Sequence, residues 1–207
     1  MPYDPDAALE EQITQSVSSS LKNLETPGTA TYIDCLVLHS PLDTLEKTVQ
    51  AFKILKEKYV PQHIHHLGIS NVPPELAKKL DPDVLAVVQN RFYGQTAFEV
   101  DLRAYCRANG IVFQSFWTLT GTPPLRHAKF VAELAGEAGV SPEVALYALV
   151  LGLRGTTILD GTTNPEHMKE DLEGIAKLGA WAEDPEGGQE YWKKSLETFR
   201  KAVGEDR

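Results

Sequence analysis

The chain has 207 residues, of which 42% are hydrophobic and 24% charged. These are the proportions of a folded globular protein, and they exclude a disordered chain, a collagen-like repeat and a disulfide-stapled miniature. A formal charge of −9 argues against nucleic acid or an anionic membrane surface as partner.

The opening Met-Pro-Tyr-Asp-Pro-Asp has neither the basic nor the apolar region of a secretory signal. Leu9, Ile13, Val17, Leu21 and Leu24 then share one face of a helix, entered at Pro5-Asp6 and ended by Pro27-Gly28. Ile33–Leu38 is a short, nearly all-apolar run, as in a parallel strand covered on both faces. A second helix is predicted over Asp43–Tyr59, with Leu45, Val49, Phe52 and Leu55 on one face and Asp43 as N-cap. Further strands are predicted at Leu67–Ile69, Leu85–Val88, Ile111–Phe113 and Thr157–Leu159. Helical segments separate them at Pro74–Leu80, Phe98–Asn109, Leu125–Gly139 and Ser141–Leu153, and a last one follows at Pro165–Leu178. Ser141-Pro142-Glu143 joins an N-cap to a first-turn proline. The apolar run behind it, Val144–Leu153, is about half a membrane span and reads as a buried helix. Residues 179–207 form a loop around Pro185–Gly188 and an amphipathic tail helix that docks through Tyr191, Leu196, Phe199 and Val203. Cys35 and Cys106 read as free thiols of a reducing compartment, so a cytoplasmic location is expected.

Strands alternating with helices of this size mean an α/β fold with a parallel sheet and right-handed crossovers. One domain is expected over 1–207. Functional groups in such folds lie just past the carboxyl ends of the strands. Those positions hold His39-Ser40-Pro41, Ser70-Asn71, Gln89-Asn90, Ser115-Phe116-Trp117 and Asp160-Gly161-Thr162-Thr163. A lone histidine is more often structural, but five successive strand ends with hydrogen-bonding or stacking side chains point to a site. Gln62-His63-Ile64-His65-His66 invites a metal reading. It precedes a strand, at the opposite end, and lacks a carboxylate or thiolate cluster, so no metal site is expected. There is no glycine-rich dinucleotide or P-loop fingerprint. Ser115 has no nucleophile-elbow glycines and Cys106 has no base within sequence reach.

Read together, these passages resemble the aldo-keto reductase family. Tyr32–Pro41 is similar to its fourth-strand signature, His66–Asn71 to its fifth and Val87–Asn90 to its sixth. Tyr105–Ile111 with Ser115-Phe116 resembles the passage into the seventh strand, and Gly161–Leu172 the passage after the eighth. The resemblance extends to about Ile175 and implies a (β/α)8 barrel of the TIM type, incomplete here. About five parallel strands with outer helices make a partial barrel over 1–178, and the chain begins at the third barrel helix.

The resemblance further implies an oxidoreductase that uses NADP(H) to reduce aldehyde and ketone carbonyls. His39 matches the catalytic histidine that orients the carbonyl. Ser70, Asn71 and Gln89 match the residues that bind the nicotinamide carboxamide, and Phe116 stands where a tyrosine usually stacks on the ring. Gly161, Thr162 and Thr163 match the phosphate-binding loop before a helix. Glu170 and Asp171 match the pair that reads the adenine, with Asp in place of Asn. Many relatives carry Lys-Ser where this chain has Gly161-Thr162 and arginine where it has His167, so NADP(H) binding is expected to be weak. The family's catalytic tyrosine, lysine and aspartate have no match in residues 1–30, which makes impaired reduction an expectation. Two alternatives stay open: a non-redox isomerase, dehydratase or cyclase using the same pocket, and an inactive binding or subunit protein. The open edge at Leu36-Val37-Leu38 leads us to expect a homo-oligomer that covers it, or else coverage by the first helix or by the tail around Tyr191–Val203.

Overall fold

The computed structural model of the protein describes residues 2–205. The short apolar runs become five parallel strands: β1 (Ile33–Leu38), β2 (Ile64–Ser70), β3 (Leu85–Arg91), β4 (Val112–Phe116) and β5 (Thr156–Ile158). They form one sheet in the order β1-β2-β3-β4-β5, with helices around it, which is the predicted α/β class and strand count. The chain divides into two units, one up to Gln89 and one from Asn90 onward.

In the first unit, β1, β2 and β3 are joined by α1 (Leu9–Asn23), α2 (Leu45–Tyr59) and the single turn α3 (Pro74–Ala77). Leu36 lies opposite Leu67, Leu38 opposite Ile69, and Ser70 opposite Gln89, with a shift of register at Leu67/Gly68. Gly68 sits where the neighbouring strands leave no room for a side chain. A Cβ there would stand 2.9 Å from the Val87 carbonyl oxygen and 3.0 Å from Val37 Cγ2. The buried residues here are Ile64, Leu67, Ile69 and Val88 of the strands together with Phe52 and Leu55 of α2. The start of α2 differs from expectation. Thr44, extended at φ −130° and ψ 157°, caps the helix by accepting the Lys47 N–H at 3.1 Å, whereas Asp43 pairs with the Lys47 ammonium at 3.2 Å. Thr48, not Val49, turns inward, because its hydroxyl bonds the Thr44 carbonyl and the Leu42 N–H. His65 and His66 lie inside β2 rather than ahead of it; His65 stacks on Tyr32 at 4.5 Å and lies 3.7 Å from Asp34.

In the second unit, a 3-10 turn (Gly94–Glu99) leads into α4 (Val100–Ala108) and β4. After β4 come α5 (Pro123–Arg126), α6 (Lys129–Ala138), α7 (Pro142–Leu151), β5, α8 (Pro165–Glu183) and α9 (Gln189–Ala202). The helix expected from Phe98 starts only at Val100. Ala97, Phe98 and Glu99 adopt φ of 47°, 53° and 55°, a conformation no continuous helix contains. The Arg103 Nε holds this turn by donating to the Phe98 carbonyl at 2.8 Å. The helix expected over Leu125–Gly139 is two, because extended Ala128 (ψ 140°) interrupts it. Ser141 caps α7 as its sequence suggests, its hydroxyl accepting the Val144 N–H at 3.2 Å. Residues Val144 to Val150 are all buried, so the apolar run is the core helix. No single helix among the described residues is long and apolar enough to cross a membrane. The tail docks through buried Phe199 and Val203, with Tyr191 and Leu196 half-buried. Its end is tied down at Glu205, which pairs with the fully buried Arg103 guanidinium and approaches Arg107 at 3.4 Å.

Candidate active site

Parallel strands in register deliver their last residues to one rim. In the first unit β1 runs into His39, β2 into Ser70 and Asn71, and β3 carries Gln89. Asn71 has φ 54°, a left-handed conformation that asparagine tolerates better than most residues. That turn sends its side-chain amide back across the rim. The Asn71 Nδ2 donates to the His39 carbonyl at 2.9 Å and to the Ser70 hydroxyl at 3.2 Å, while its main-chain N–H donates to the Gln89 carbonyl at 3.0 Å. The structure thus ties together four residues singled out in the sequence. The His39 side chain is exposed and Ser70 is buried, so this rim offers one accessible imidazole beside a fixed set of amides and hydroxyls.

The second unit holds a cavity of about 930 Å³. Phe116, at the end of β4, and Trp117 form one wall, their rings edge-on at 6.3 Å, and the Arg91 guanidinium lies 4.5 Å from the Trp117 ring centre. Glu143 and Tyr147 of α7 face the cavity, as do Asp160, Gly161 and Thr162 after β5. His167, Glu170 and Asp171 of α8 complete this side, with Arg126 at the end of α5. Of the residues singled out in this half, Phe116, Gly161, Thr162, His167, Glu170 and Asp171 line the cavity; Thr163 is exposed and outside the lining. Ser115 is buried within β4 and bonds the Thr118 hydroxyl, a packing role.

Asp160 organises the loop. Its Oδ1 accepts the Thr162 N–H at 3.2 Å and the Tyr147 O–H at 3.3 Å. Further along, the Thr162 hydroxyl accepts the Asn164 N–H at 3.1 Å, and the Asn164 side chain accepts the Glu166 N–H at 3.0 Å as the cap of α8. Burial, together with the charge and hydrogen bond of Asp160, raises the Asp171 carboxyl from 3.8 to about 6, against the opposing pull of His167. Burial and the neighbouring carboxylates likewise push the Tyr147 phenol well above its ordinary value. Arg126 has a buried Nε without a hydrogen-bond partner, and its Nη2 lies 3.2 Å from the His127 ring. Sequence reasoning missed Glu143, Tyr147 and Arg126. Tyr147 had a visible signal, because a tyrosine inside an all-apolar helix needs a partner for its hydroxyl. Among the described residues no group of three or more His, Cys, Asp or Glu side chains is placed to hold a metal ion.

The model of the aldo/keto reductase family matches residues 4–129, more than half of the chain, and includes His39, Ser70, Asn71, Gln89 and Phe116. The chain belongs to the aldo/keto reductase family. Its fold is shared with solved members. An aldo/keto reductase from Klebsiella pneumoniae, in complex with NADP and acetate, superposes with a TM-score of 0.62 at 20% identity. That alignment covers 81% of this chain and 63% of the other. An aldo/keto reductase from Brucella melitensis gives a TM-score of 0.64 at 18% identity, covering 83% and 66%. The Bombyx mori enzyme, in complex with NADP, gives 0.62 at 17% identity, covering 83% and 62%. The chain therefore spans less than two thirds of the length of these structures. No curated protein matches it in sequence.

Proposed function

We propose that this aldo/keto reductase chain is an oxidoreductase acting on aldehyde or ketone carbonyls with a nicotinamide dinucleotide. The observation that carries the reading is the bonded rim of His39, Ser70, Asn71 and Gln89 inside the matched region. Asn71 commits its Nδ2 to the chain's own oxygens, which presents its Oδ1 as an acceptor for a carboxamide NH2. The Gln89 amide and the Ser70 hydroxyl complete a set suited to one planar amide. The exposed His39 imidazole is the group in this rim that donates a hydrogen bond to a carbonyl oxygen and lends it a proton as negative charge develops. Bound, the dinucleotide would supply the hydride. NADP(H) is the form present in solved relatives, and the cavity of the second unit is the place for the adenosine end.

A homo-oligomer belongs to the same reading, supported by β1, which ends the sheet with Leu36, Val37 and Leu38 only half-buried. So does a cytoplasmic location, supported by the free Cys35 and Cys106. The test is a binding titration of reduced dinucleotide together with its absorbance loss against a panel of aldehydes and ketones. His39→Ala is expected to abolish turnover and leave dinucleotide affinity nearly unchanged, whereas Asn71→Ala weakens the affinity. Loss of binding in His39→Ala, with Asn71→Ala unaffected, would reverse these roles and refute the proposal.

A further inference from the structure

The cavity of the second unit does not suit the dinucleotide found in the solved relatives. Its lining has four carboxyl groups, Glu143, Asp160, Glu170 and Asp171, against one guanidinium, Arg126, and one imidazole, His167. A loop before a helix normally offers free N–H groups to an anion. Here those of Thr162, Asn164 and Glu166 are already taken, the first by the Asp160 carboxylate and the others by the Thr162 and Asn164 side chains. Asp160 thus takes a donor that an external anion would use. A phosphate monoester carries close to two negative charges near neutrality and needs several donors. Over the lining as a whole it meets more carboxyl groups than cationic side chains, and part of the repulsion is unscreened by water. A pair of neighbouring carboxylates suits the opposite ligand: each accepts an O–H from a vicinal diol, as an acidic residue does on a ribose in other dinucleotide sites. Asp160, held by the Thr162 N–H and the Tyr147 O–H, and Asp171 both line this cavity and are such a pair.

We infer, on the reading that this cavity receives the adenosine half of a nicotinamide dinucleotide, that it binds a ribose with free 2′ and 3′ hydroxyls and rejects the 2′-phosphate. The cofactor is then NADH rather than NADPH. The test is calorimetric titration of the chain with NADH, NADPH, AMP and adenosine 2′,5′-bisphosphate, the last two probing the cavity without the nicotinamide. NADH is expected to bind about tenfold more tightly than NADPH, and AMP to exceed the bisphosphate by a similar factor. The double variant Asp160→Asn/Asp171→Asn is expected to bring both ratios close to one; should it fail to fold, Asp171→Asn alone is expected to reduce them. Binding of NADPH and the bisphosphate as tightly as their unphosphorylated partners overturns the inference while the dinucleotide reading stands. Failure of all four ligands to bind overturns the reading and the inference with it.

Discussion

Replacing Asp171 by asparagine removes a charge that the folded protein holds at a cost. In the fold, burial and then the charges of Asp160 and Glu170 disfavour its ionisation, with His167 in opposition, and push it up from 3.8 to about 6. Between those values the folded state binds the proton more tightly than the unfolded chain does. Stability from this group is therefore full below about pH 4 and falls as pH rises through about 6, where the carboxylate must ionise in place. The gap between 3.8 and about 6 corresponds to about 3 kcal/mol if undiminished. Asp171 is partly exposed, and solvent screening reduces the figure to about 1 kcal/mol. The substituted amide would keep an N–H donor toward Asp160, as the protonated carboxyl does. Urea unfolding is expected to show Asp171→Asn more stable than the parent by about 1 kcal/mol near pH 8, with the advantage gone near pH 4. A variant equally stabilised at both pH values, or destabilised at the higher one, would refute the crowding of Asp160 and Asp171.

Two further outcomes follow from packing. Glu205→Ala leaves the Arg103 guanidinium, 1% exposed, without its carboxylate; the expected loss is about 3 kcal/mol in chemical denaturation. An unchanged midpoint would mean that the tail does not anchor α4. Gly68→Ala inserts a methyl group 2.9 Å from the Val87 carbonyl oxygen and 3.0 Å from Val37, both within its own sheet. About 2 kcal/mol of destabilisation is expected, read as a lower melting temperature, and none at all would show that the strands yield freely there.

The strand ends were legible because a parallel sheet leaves little freedom. Once Leu36, Leu67 and Val88 are placed within their strands, the residues after them must emerge on one side, which carries His39, Ser70, Asn71 and Gln89 to their rim. The helix boundaries were less legible. Nothing in the residue types marks Ala97, Phe98 and Glu99 as left-handed, for none is glycine; a bond from Arg103, itself paired with distant Glu205, to the Phe98 carbonyl sustains that turn. Asp43 and Thr44 are both good caps, and only the backbone angles decide for Thr44. The cavity was half legible. Its loop and α8 follow from strand-end position, whereas Glu143 and Tyr147 come from α7, whose apolar run reads as core apart from the hydroxyl of Tyr147.

One pair of side chains links stability to ligand choice in this molecule. Asp160 secures the loop through Thr162 and Tyr147, and Asp171 stands against it at an energetic disadvantage above about pH 6. A residue kept in a state that weakens the fold is commonly one that serves a ligand. The asparagine that relieves the crowding also removes an acceptor for a ribose hydroxyl and part of the repulsion toward a phosphate. Asp171→Asn is therefore expected to make a sturdier protein that distinguishes the two dinucleotides less well. Denaturation and titration on the same preparation can separate this from simple strain, because strain without a ligand role would leave the NADH-to-NADPH ratio where it was.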